Sequence, residues 1–443
     1  MQIYYKIITK SIDIFFDLIY SLLEFNKTDW EEFTLAIGDV IVGIDIGASK
    51  VSLVVGEVNN FNQIEIICNT SKKSKGIQKG KIVDENELAD SISNALKEAE
   101  KEMSMKINSA YITIPGKYVT IVQNSVTKEA KDKYSGISSR DVSNALMQAK
   151  DIDIPEGKQL IDILTSDFVL DNGKVCDDPV GAFSSSFTLN AQILLADKEY
   201  IRTISSIFKK VDIDIDGMVP TTLAEKNTVL DEIDQKDYIM LLDIGAENTD
   251  IGIFDGKRFI YTDSIAIGGV NITNDISYVL NISHDEAEKL KKQYGLALKS
   301  YIDNDNEVVL NTVKDGTGNK IVKSSNIVEI IEARVEQIFD LVNQKIISQG
   351  LKPKINTVVL TGQGIANINK SDIVGRITLN IPVKIASNKT MNSLKPELVT
   401  AYSLVNFIAS KPFAKTVASS IDSSEKSSIL RKIIDKVREF FYS

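Results

Sequence analysis

The sequence predicts an α/β protein built from two similar halves. Short apolar runs that end at glycine turns alternate with segments whose apolar residues recur every three or four positions, which is typical of strands and amphipathic helices. One pattern, two apolar runs joined by Asp-Ile-Gly-Ala, occurs twice, with Asp45 and Asp243 standing 198 residues apart. A repeated hairpin predicts that the second half of the chain has the same fold as the first.

The first half begins with this hairpin, whose strands are residues 40–46 and 51–58, and a third strand follows at residues 64–68. Another strand is expected at residues 111–114. Asp84 is predicted to cap a helix, because its carboxylate can accept hydrogen bonds from the amides of the first turn. The apolar face of this helix is formed by Leu88, Ile92, Ala95, Leu96 and Ala99.

The alternation weakens between the two hairpins, from about residue 122 to residue 195, and we interpret this stretch as an inserted subdomain. After the repeated hairpin, the second half continues with a long helix from Ile327 and a strand at residues 355–360. We expect residues 303–325, which are mostly polar, to form a linker.

The composition argues against several classes of function. The net charge of -10 disfavours nucleic-acid binding. The only cysteines, Cys68 and Cys176, lack metal-ligand spacing, and the one histidine, His284, cannot build a zinc site or a Ser-His-Asp triad with its neighbours. No uninterrupted apolar run reaches about 18 residues, so any membrane contact is expected to be peripheral.

Each Asp-Ile-Gly-Ala turn is a candidate phosphate-binding loop. Small residues let phosphate oxygens approach successive backbone N–H groups, and a lysine after the first turn adds a positive charge. One such turn is most often an ordinary hairpin, but two copies followed by a Thr-Gly-x-Gly strand end favour nucleotide binding. The candidate phosphate contacts are Gly47, Ala48, Ser49, Lys50, Gly245, Ala246, Glu247, Asn248 and Thr249.

Two carboxylates are candidates for the metal site. Asp45 and Asp243 each end a buried strand, and we expect them to hold the water ligands of a Mg²⁺ ion that bridges the phosphates. No GxGxxG follows a strand and no GxxxxGK[ST] loop exists, so the NAD-binding and P-loop folds are disfavoured. The predicted ligand is ATP with Mg²⁺, bound between the halves.

The nucleoside end of the ligand has its own candidates. Gly362, Gln363 and Gly364 follow the strand at residues 355–360 and let the backbone lie flat against a base or ribose. On a charged helix, Glu288 and Lys291 are candidates for hydrogen bonds to the adenosine.

These motifs resemble the FtsA family of bacterial cell-division proteins. The likeness covers about residues 40–410 and includes the C-terminal tail. Its matching segments are residues 178–181, 243–254, 261–269 with Thr273 and Asp275, 286–291, 294–295, 331–334 and 359–362.

The resemblance implies an actin-like ATPase fold with duplicated ribonuclease-H-like halves, as in the actin, Hsp70 and sugar-kinase superfamily. In the family a subdomain called 1C is inserted in the first half. The expected divisions are an N-terminal extension (1–38), subdomain 1A (39–121 and 201–218), subdomain 1C (122–200), a second half (219–410, with subdomain 2B at about 281–330), a linker (411–428) and an amphipathic helix (429–443).

The resemblance also implies a cell-division adaptor on the cytoplasmic face of the membrane, at the septum. Its subunits would bind ATP, polymerise head to tail and tether FtsZ filaments, while other division proteins bind the inserted subdomain. Arg334 is the candidate for pairing with carboxylates of the FtsZ tail, which lies against subdomain 2B in the family. Two alternatives stay open: an ATP-dependent kinase or phosphatase of the superfamily, and a pilus-assembly adaptor, for which no membrane tail is predicted.

The sequence departs from the family pattern at the nucleotide site. Glu247 and Asn248 stand in a turn that is usually rich in Gly and Thr, Gln363 replaces a common Gly, and Ser403 falls near a usual Gly. Because a carboxylate beside the phosphates repels them, we expect weak or absent ATP hydrolysis.

The C-terminal tail is predicted to bind membranes. Residues 411–428 resemble a flexible linker, and Ser428 can cap the helix that follows. Basic residues, among them Arg431 and Lys432, flank its apolar face, as in helices that lie on anionic lipid, although docking on the body is an alternative. The apolar face is formed by Ile429, Leu430, Ile433, Ile434, Val437, Phe440 and Phe441.

The N-terminal 25 residues form a second predicted amphipathic helix, apolar except for one narrow polar stripe. Three interpretations remain open: a helix packed on the body or a partner, an interfacial membrane helix, and a misassigned start codon. The stripe comprises Lys6, Lys10, Asp13, Asp17, Ser21 and Glu24.

Overall fold

The computed structural model describes residues 39–59, 63–130, 136–231, 233–311, 319–365, 368–387 and 393–410. Residues 40–57 and 64–408 form one compact unit, which contains the candidate site described below. The predicted N-terminal helix, the linker at residues 411–428 and the membrane helix at residues 429–443 lie outside the described residues.

The first lobe is a five-stranded sheet with helices on its faces. Strands β1 and β2 form the predicted hairpin, with Asp45 opposite Ser52, and the strand order is β11-β6-β1-β2-β3. Asp84 caps α1 by accepting hydrogen bonds from two amides, as predicted, and the predicted apolar face is buried. The elements are β1 (Val40–Ile46), β2 (Lys50–Val58), β3 (Ile64–Lys73), β4 (Ile77–Gln78), β5 (Lys81–Ile82), α1 (Glu85–Met103) and β6 (Ser109–Ile114).

The inserted subdomain is a second, separate sheet. Its four strands have the order β7-β10-β8-β9, and one helix packs on them. The elements are β7 (Val119–Glu129), α2 (Ser139–Ala149), β8 (Lys158–Leu170), β9 (Val175–Cys176) and β10 (Ser186–Asp197). The chain then returns to the first lobe through α3 (Lys198–Lys210) and β11 (Asp214–Pro220), and crosses to the second lobe through α4 (Thr221–Val229).

The second lobe repeats the topology of the first. Its sheet has the order β14-β13-β12-β17-β18, in which β12 and β13 form the repeated hairpin with Asp243 opposite Asp250. The duplication predicted from the hairpins is therefore confirmed. The elements are β12 (Tyr238–Ile244), β13 (Thr249–Asp255), β14 (Arg258–Ile265), α5 (Gly269–Leu280), α6 (His284–Gln293), β15 (Glu307–Asn311), β16 (Asn319–Lys323), α7 (Ser324–Ser348), β17 (Thr357–Thr361), α8 (Ser371–Leu379), β18 (Val383–Ile385) and α9 (Val399–Ala409).

The prediction of a polar linker at residues 303–325 is wrong. Strands β15 and β16 pair as an antiparallel hairpin in which Val308 faces Val322. Both of these side chains and Leu310 are buried in the core of the second lobe. Alternate residues of the hairpin thus pack into the core of that lobe, whereas Glu307, Val309, Ile321 and Lys323 face outward.

None of the helices that the structure describes is both long enough and apolar enough to span a membrane.

Candidate functional site

A cavity of about 350 Å³ lies where the two hairpin turns and the end of β17 come together. Residues 45–50 line it from the first lobe, and residues 243 and 245–248 line it from the second. Gly362 and Gln363, after β17, form another part of its wall. Three segments that are far apart in sequence therefore enclose one cavity, as the repeated motifs predicted.

Both turns are tight and have amides available for a ligand. Gly47 N donates to Lys50 O at 2.9 Å, and Gly245 N donates to Asn248 O at 2.8 Å. The carbonyls of Gly245 and Ala246 accept hydrogen bonds from the first two amides of α5, at 2.9 and 2.8 Å. With these carbonyls bound to α5, the turn that lines the cavity has a geometry in which successive amides can bind an anion.

Three aspartates lie at the centre of the site. Thr113 Oγ1 donates to Asp45 Oδ1 at 2.7 Å, and Gly116 N donates to Asp250 Oδ1 at 3.0 Å. Burial raises the pKa of Asp45 to about 6 and raises the pKa of Asp243 and Asp250 above the usual range. The charge of Asp250 adds to the effect on Asp45 and Asp243, and the charge of Asp263 adds to the effect on Asp250. Buried like charges of this kind are stabilised by a bound cation.

No three metal-ligating side chains are close enough to bind one metal ion directly, among the residues that the structure describes. Aspartates that are separated in this way fit a cation that keeps its own water molecules, which is the usual behaviour of Mg²⁺.

A fourth buried carboxylate, Glu225 of α4, lines the same cavity and is 1% exposed. Its Oε1 accepts a hydrogen bond from Thr400 Oγ1 at 2.7 Å, which links α4 to α9. Burial, together with the charges of Asp243 and Asp45, raises the pKa of Glu225 well above its usual value.

The glycines after β17 allow a very close approach. Gly362 has φ +94°, and a Cβ at this position would overlap Asp243 Oδ1. Gly364 N donates to Ile244 O at 2.7 Å, which holds the segment against the second hairpin. Any side chain larger than hydrogen would displace the aspartate or the segment.

Four predicted ligand contacts are not part of the cavity lining. Thr249 is fully buried and donates to Ile267 O at 2.9 Å. Glu288 and Lys291 form an ion pair at 2.7 Å, and both bond to Thr273 of α5, next to the second turn. The fourth residue, Gly364, serves to position its neighbours. All the other predicted phosphate and metal residues line the cavity.

The unusual Glu247 contacts the opposite lobe. Its Oε2 accepts a hydrogen bond from Lys79 N, at the tip of the short β4–β5 hairpin, at 2.5 Å. Lys50 in the first turn also has an acidic partner, since its Nζ lies 3.8 Å from Glu397 Oε2.

Sequence reasoning did not single out Thr113, Asp250, Glu225 or Thr400. Asp250 could have been identified from the repeated hairpin, because it occupies in the second hairpin the position that Ser52 occupies in the first. Glu225 and Thr400 are separated by 175 residues, and no local pattern connects them.

Arg334 of α7 is paired within the second lobe. Its Nη2 donates to Asp275 Oδ1 at 2.7 Å and its Nε donates to Asp275 Oδ2, so the two side chains form a bidentate ion pair between α7 and α5. The remaining nitrogen, Nη1, donates to Gln337 Oε1 on the same helix, and the arginine side chain is 24% exposed.

Two family models match the chain. The model described as cell division protein FtsA matches residues 240–403, and the model described as the SHS2 domain inserted in FtsA matches residues 116–195. Together they cover more than half of the sequence, and the second coincides with the inserted sheet. The chain belongs to the FtsA family.

Curated FtsA proteins are similar over most of their length. Cell division protein FtsA of Bacillus subtilis (strain 168) is 26% identical over 370 residues, which cover 83% of each chain. The FtsA protein of Escherichia coli (strain K12) is 24% identical over 381 residues, covering 83% of this chain and 90% of the relative. This chain is thus a cell-division protein of the FtsA family.

Solved structures confirm the actin-like fold predicted for an FtsA protein. A PilM–PilN type IV pilus biogenesis complex matches with a TM-score of 0.54 and 15% identity, covering 84% of this chain and 99% of that one. The ADP-bound MreB5 of Spiroplasma citri matches with a TM-score of 0.51 and 14% identity, covering 84% of this chain and 98% of that one. At these identities the likeness concerns the fold alone.

Proposed function

We propose that this FtsA-family protein binds ATP with Mg²⁺ in the cavity between its lobes. The observation that carries the proposal is the meeting of both Gly-Ala turns with Gly362 at one cavity that contains buried carboxylates. Backbone amides of the turns bind phosphate oxygens, and the flat segment after β17 accommodates the nucleoside.

The residues present fit a hydrated Mg²⁺ ion. Asp45 and Asp243 stand near the ends of β1 and β12, and burial together with neighbouring carboxylates raises the pKa of each, an environment that a cation would stabilise. When bound, Mg²⁺ neutralises phosphate charge; the two aspartates hold its water ligands and Thr113 orients Asp45.

Slow turnover is part of the proposal. Glu247 adds a negative charge to the second phosphate turn, although Lys79 N binds one of its oxygens. A negative charge at this position opposes the build-up of charge on the transferred phosphoryl group, so binding persists while hydrolysis stays weak.

Titration calorimetry of the full chain with ATP, in the presence of Mg²⁺ and in its absence, tests the proposal. Binding that requires Mg²⁺ and is accompanied by little phosphate release is expected. Failure to bind at millimolar ATP with Mg²⁺, or rapid hydrolysis together with phosphorylation of a small molecule, would contradict it.

At the level of the cell, we propose an adaptor of the division ring. ATP-loaded copies of the chain associate head to tail on the cytoplasmic face of the membrane at the septum, and the amphipathic helix at residues 429–443 binds anionic lipid. Subdomain 2B binds the FtsZ tail, with the partly exposed Arg334 exchanging its contact with Gln337 for a carboxylate of the tail, and the inserted subdomain binds other division proteins. Family membership and the predicted tail support this proposal.

A further inference from the structure

The short β4–β5 hairpin of the first lobe reaches across the cleft and contacts the second turn. Its two tip residues, Lys79 and Gly80, both have a positive φ, of +49° and +67°, as in a tight two-residue hairpin. Lys79 N donates to Glu247 Oε2 at 2.5 Å, although the two residues are 168 positions apart. The tip of the hairpin is therefore hydrogen-bonded to the opposite lobe.

Two further contacts hold the tip in this place. A Cβ on Gly80 would lie 2.2 Å from Asn248 Oδ1, so the backbone of the tip lies directly against the Asn248 side chain. Gly80 O accepts from Lys117 Nζ at 2.6 Å, and Lys117 N donates to Ser264 Oγ of β14 at 3.2 Å. The hairpin, the segment after β6 and the second lobe thus form one continuous set of contacts.

The hairpin also closes one side of the cavity. Ile77, Gly80 and Ile82 line it beside Glu247 and Asn248. The hairpin has only two residue pairs, Ile77 with Ile82 and Gln78 with Lys81, and a hairpin of this size is marginally stable by itself. Its position over the cavity therefore depends on the contacts that its tip makes with the second turn.

We propose that the hydrogen bond between Glu247 and Lys79 is a latch that holds the β4–β5 hairpin over the cavity without a nucleotide, and that this latch opens when a nucleotide enters or leaves. A carboxylate that accepts from an amide forms a charge-assisted hydrogen bond, which is stronger than a neutral one. Glu247 acts through the hairpin and is a positioning residue. The control of nucleotide exchange rests on the proposed function, but the latch itself does not.

Hydrogen exchange of the full-length protein without nucleotide tests the latch. The measurement follows, by mass spectrometry, a peptide that contains residues 76–82. Glu247→Ala removes the acceptor of the Lys79 amide, and we expect exchange in this peptide to accelerate about tenfold. Glu247→Gln is the matched control, because it removes the charge but keeps an oxygen that can accept from Lys79 N; its exchange should accelerate less than about threefold.

A second pair of variants tests the latch from the side of the hairpin. Gly80→Ala places a Cβ against Asn248 and should displace the tip while Glu247 is intact, so exchange in the same peptide should again accelerate about tenfold. Gly173→Ala, in the β8–β9 turn, also has a positive φ, of +79°, but its Cβ would meet no atom within 4 Å. This control should leave exchange in residues 76–82 unchanged.

The effect on nucleotide exchange is measured as the rate at which a fluorescent ATP analogue leaves the protein in the presence of Mg²⁺. We expect release from Glu247→Ala to be about tenfold faster than from the unaltered protein, and release from Glu247→Gln to be less than about threefold faster. Repulsion between the Glu247 charge and the phosphates is removed equally in both variants, so a difference between them reports the hydrogen bond and not the charge.

The outcomes separate this inference from the proposed function. Equal hydrogen exchange at residues 76–82 in Glu247→Ala and the unaltered protein overturns the latch, even if ATP binds with Mg²⁺. Faster hydrogen exchange in Glu247→Ala and Gly80→Ala, in a protein that does not bind ATP, supports the latch and overturns the proposed function. Equal rates of nucleotide release from Glu247→Ala and Glu247→Gln overturn the control of nucleotide exchange by the latch.

Discussion

Gly362 shows how one residue controls the geometry of the cavity. Its φ of +94° lies in the region that glycine adopts readily, and its Cα faces Asp243 Oδ1 so closely that a methyl group would overlap the oxygen. Gly256, at the β13–β14 turn, also has a positive φ, of +56°, but a Cβ there would meet no atom within 4 Å. Alanine variants of the two glycines therefore differ in one respect: both strain the backbone, but only the variant at Gly362 also overlaps the aspartate.

We predict that Gly362→Ala destabilises the protein more than Gly256→Ala does. A positive φ costs a non-glycine residue about 1–3 kcal/mol in either variant, whereas the overlap with Asp243 occurs only in the first. Gly362→Ala should also weaken ATP·Mg²⁺ binding by about tenfold or more, which corresponds to about 1.4 kcal/mol. Denaturant unfolding and calorimetry measure the two effects. Equal losses of stability and affinity in both variants would show that the close approach has no role.

At the scale of single elements, the pairing of α7 with α5 defines the surface proposed for FtsZ. The bidentate pair of Arg334 and Asp275 joins the two helices, and burial of Ile331, Val335 and Ile338 fixes α7 on the lobe. Because Arg334 already has a carboxylate partner, a charge reversal at this position would disturb the helix pair as well as any docking of a peptide. A useful test must therefore change both partners.

We predict that Asp275→Asn retains binding of an FtsZ tail peptide and that Asp275→Asn with Arg334→Gln loses it. Neither variant leaves a repelling pair between the helices, so both should fold. The loss should amount to about 1–3 kcal/mol if the contact with the peptide carboxylates is partly desolvated. Fluorescence anisotropy with a labelled peptide measures it. The same affinity in the single and the double variant would show that Arg334 does not contact the FtsZ peptide.

The C-terminal helix carries a prediction that follows from its sequence alone. Burying an aromatic or aliphatic side chain contributes roughly 1.5–3 kcal/mol, and each basic residue near anionic lipid adds about 1 kcal/mol that salt screens. Phe440→Asp with Phe441→Asp should therefore abolish sedimentation with anionic liposomes. Arg431→Ala with Lys432→Ala should weaken sedimentation chiefly at low salt.

The folded body provides the control, since its thermal unfolding should be the same in both tail variants. If the double Asp variant still sediments, deletion of residues 1–38 in that background shows whether the N-terminal segment is a second anchor. Sedimentation that persists after this deletion would contradict membrane binding by the tail.

At the scale of the whole molecule, the subdomain inserted in the first lobe is also hydrogen-bonded to the second lobe. Gln192 of β10 is 1% exposed, and its amide pairs with the backbone of Phe259 in β14, donating to the carbonyl at 2.6 Å and accepting from the N–H at 2.9 Å. The segment leading into the subdomain is held by Asp250, which accepts from Gly116 N. The orientation of the inserted sheet is therefore linked to the second lobe and to the cavity that Asp250 lines.

We predict that Gln192→Leu destabilises the protein by about 2–4 kcal/mol, because two buried backbone groups of Phe259 lose their partners. Hydrogen exchange at β14 should accelerate and unfolding should become less cooperative. Thr188→Ala, on the same strand, removes only an exposed hydroxyl pair and should change stability by less than about 0.5 kcal/mol. Identical hydrogen exchange at β14 in the two variants would show that the hydrogen bonds between Gln192 and Phe259 do not hold the subdomain on the second lobe.

The sequence by itself predicted the two lobes, the two Asp-Ile-Gly-Ala turns that line the cavity, the capped helix after Asp84 and the inserted subdomain. Each turn and helix depends on a motif or periodicity within about 20 residues, and the lobes followed because the same short motif occurs twice. The same reasoning failed at residues 303–325, where two strands of only five residues each stand among polar residues and resemble a linker.

Only the tertiary structure decided which side chains meet. Glu225 with Thr400, Glu247 with the Lys79 amide, and Arg334 with Asp275 join residues that are 175, 168 and 59 positions apart. No periodicity relates residues at such separations, because their contact depends on how lobes and helices pack. The same packing brings the buried Glu225 and Asp250 and the half-buried Asp45 and Asp243 to one cavity, and this grouping of carboxylates is the basis of the proposed cation site.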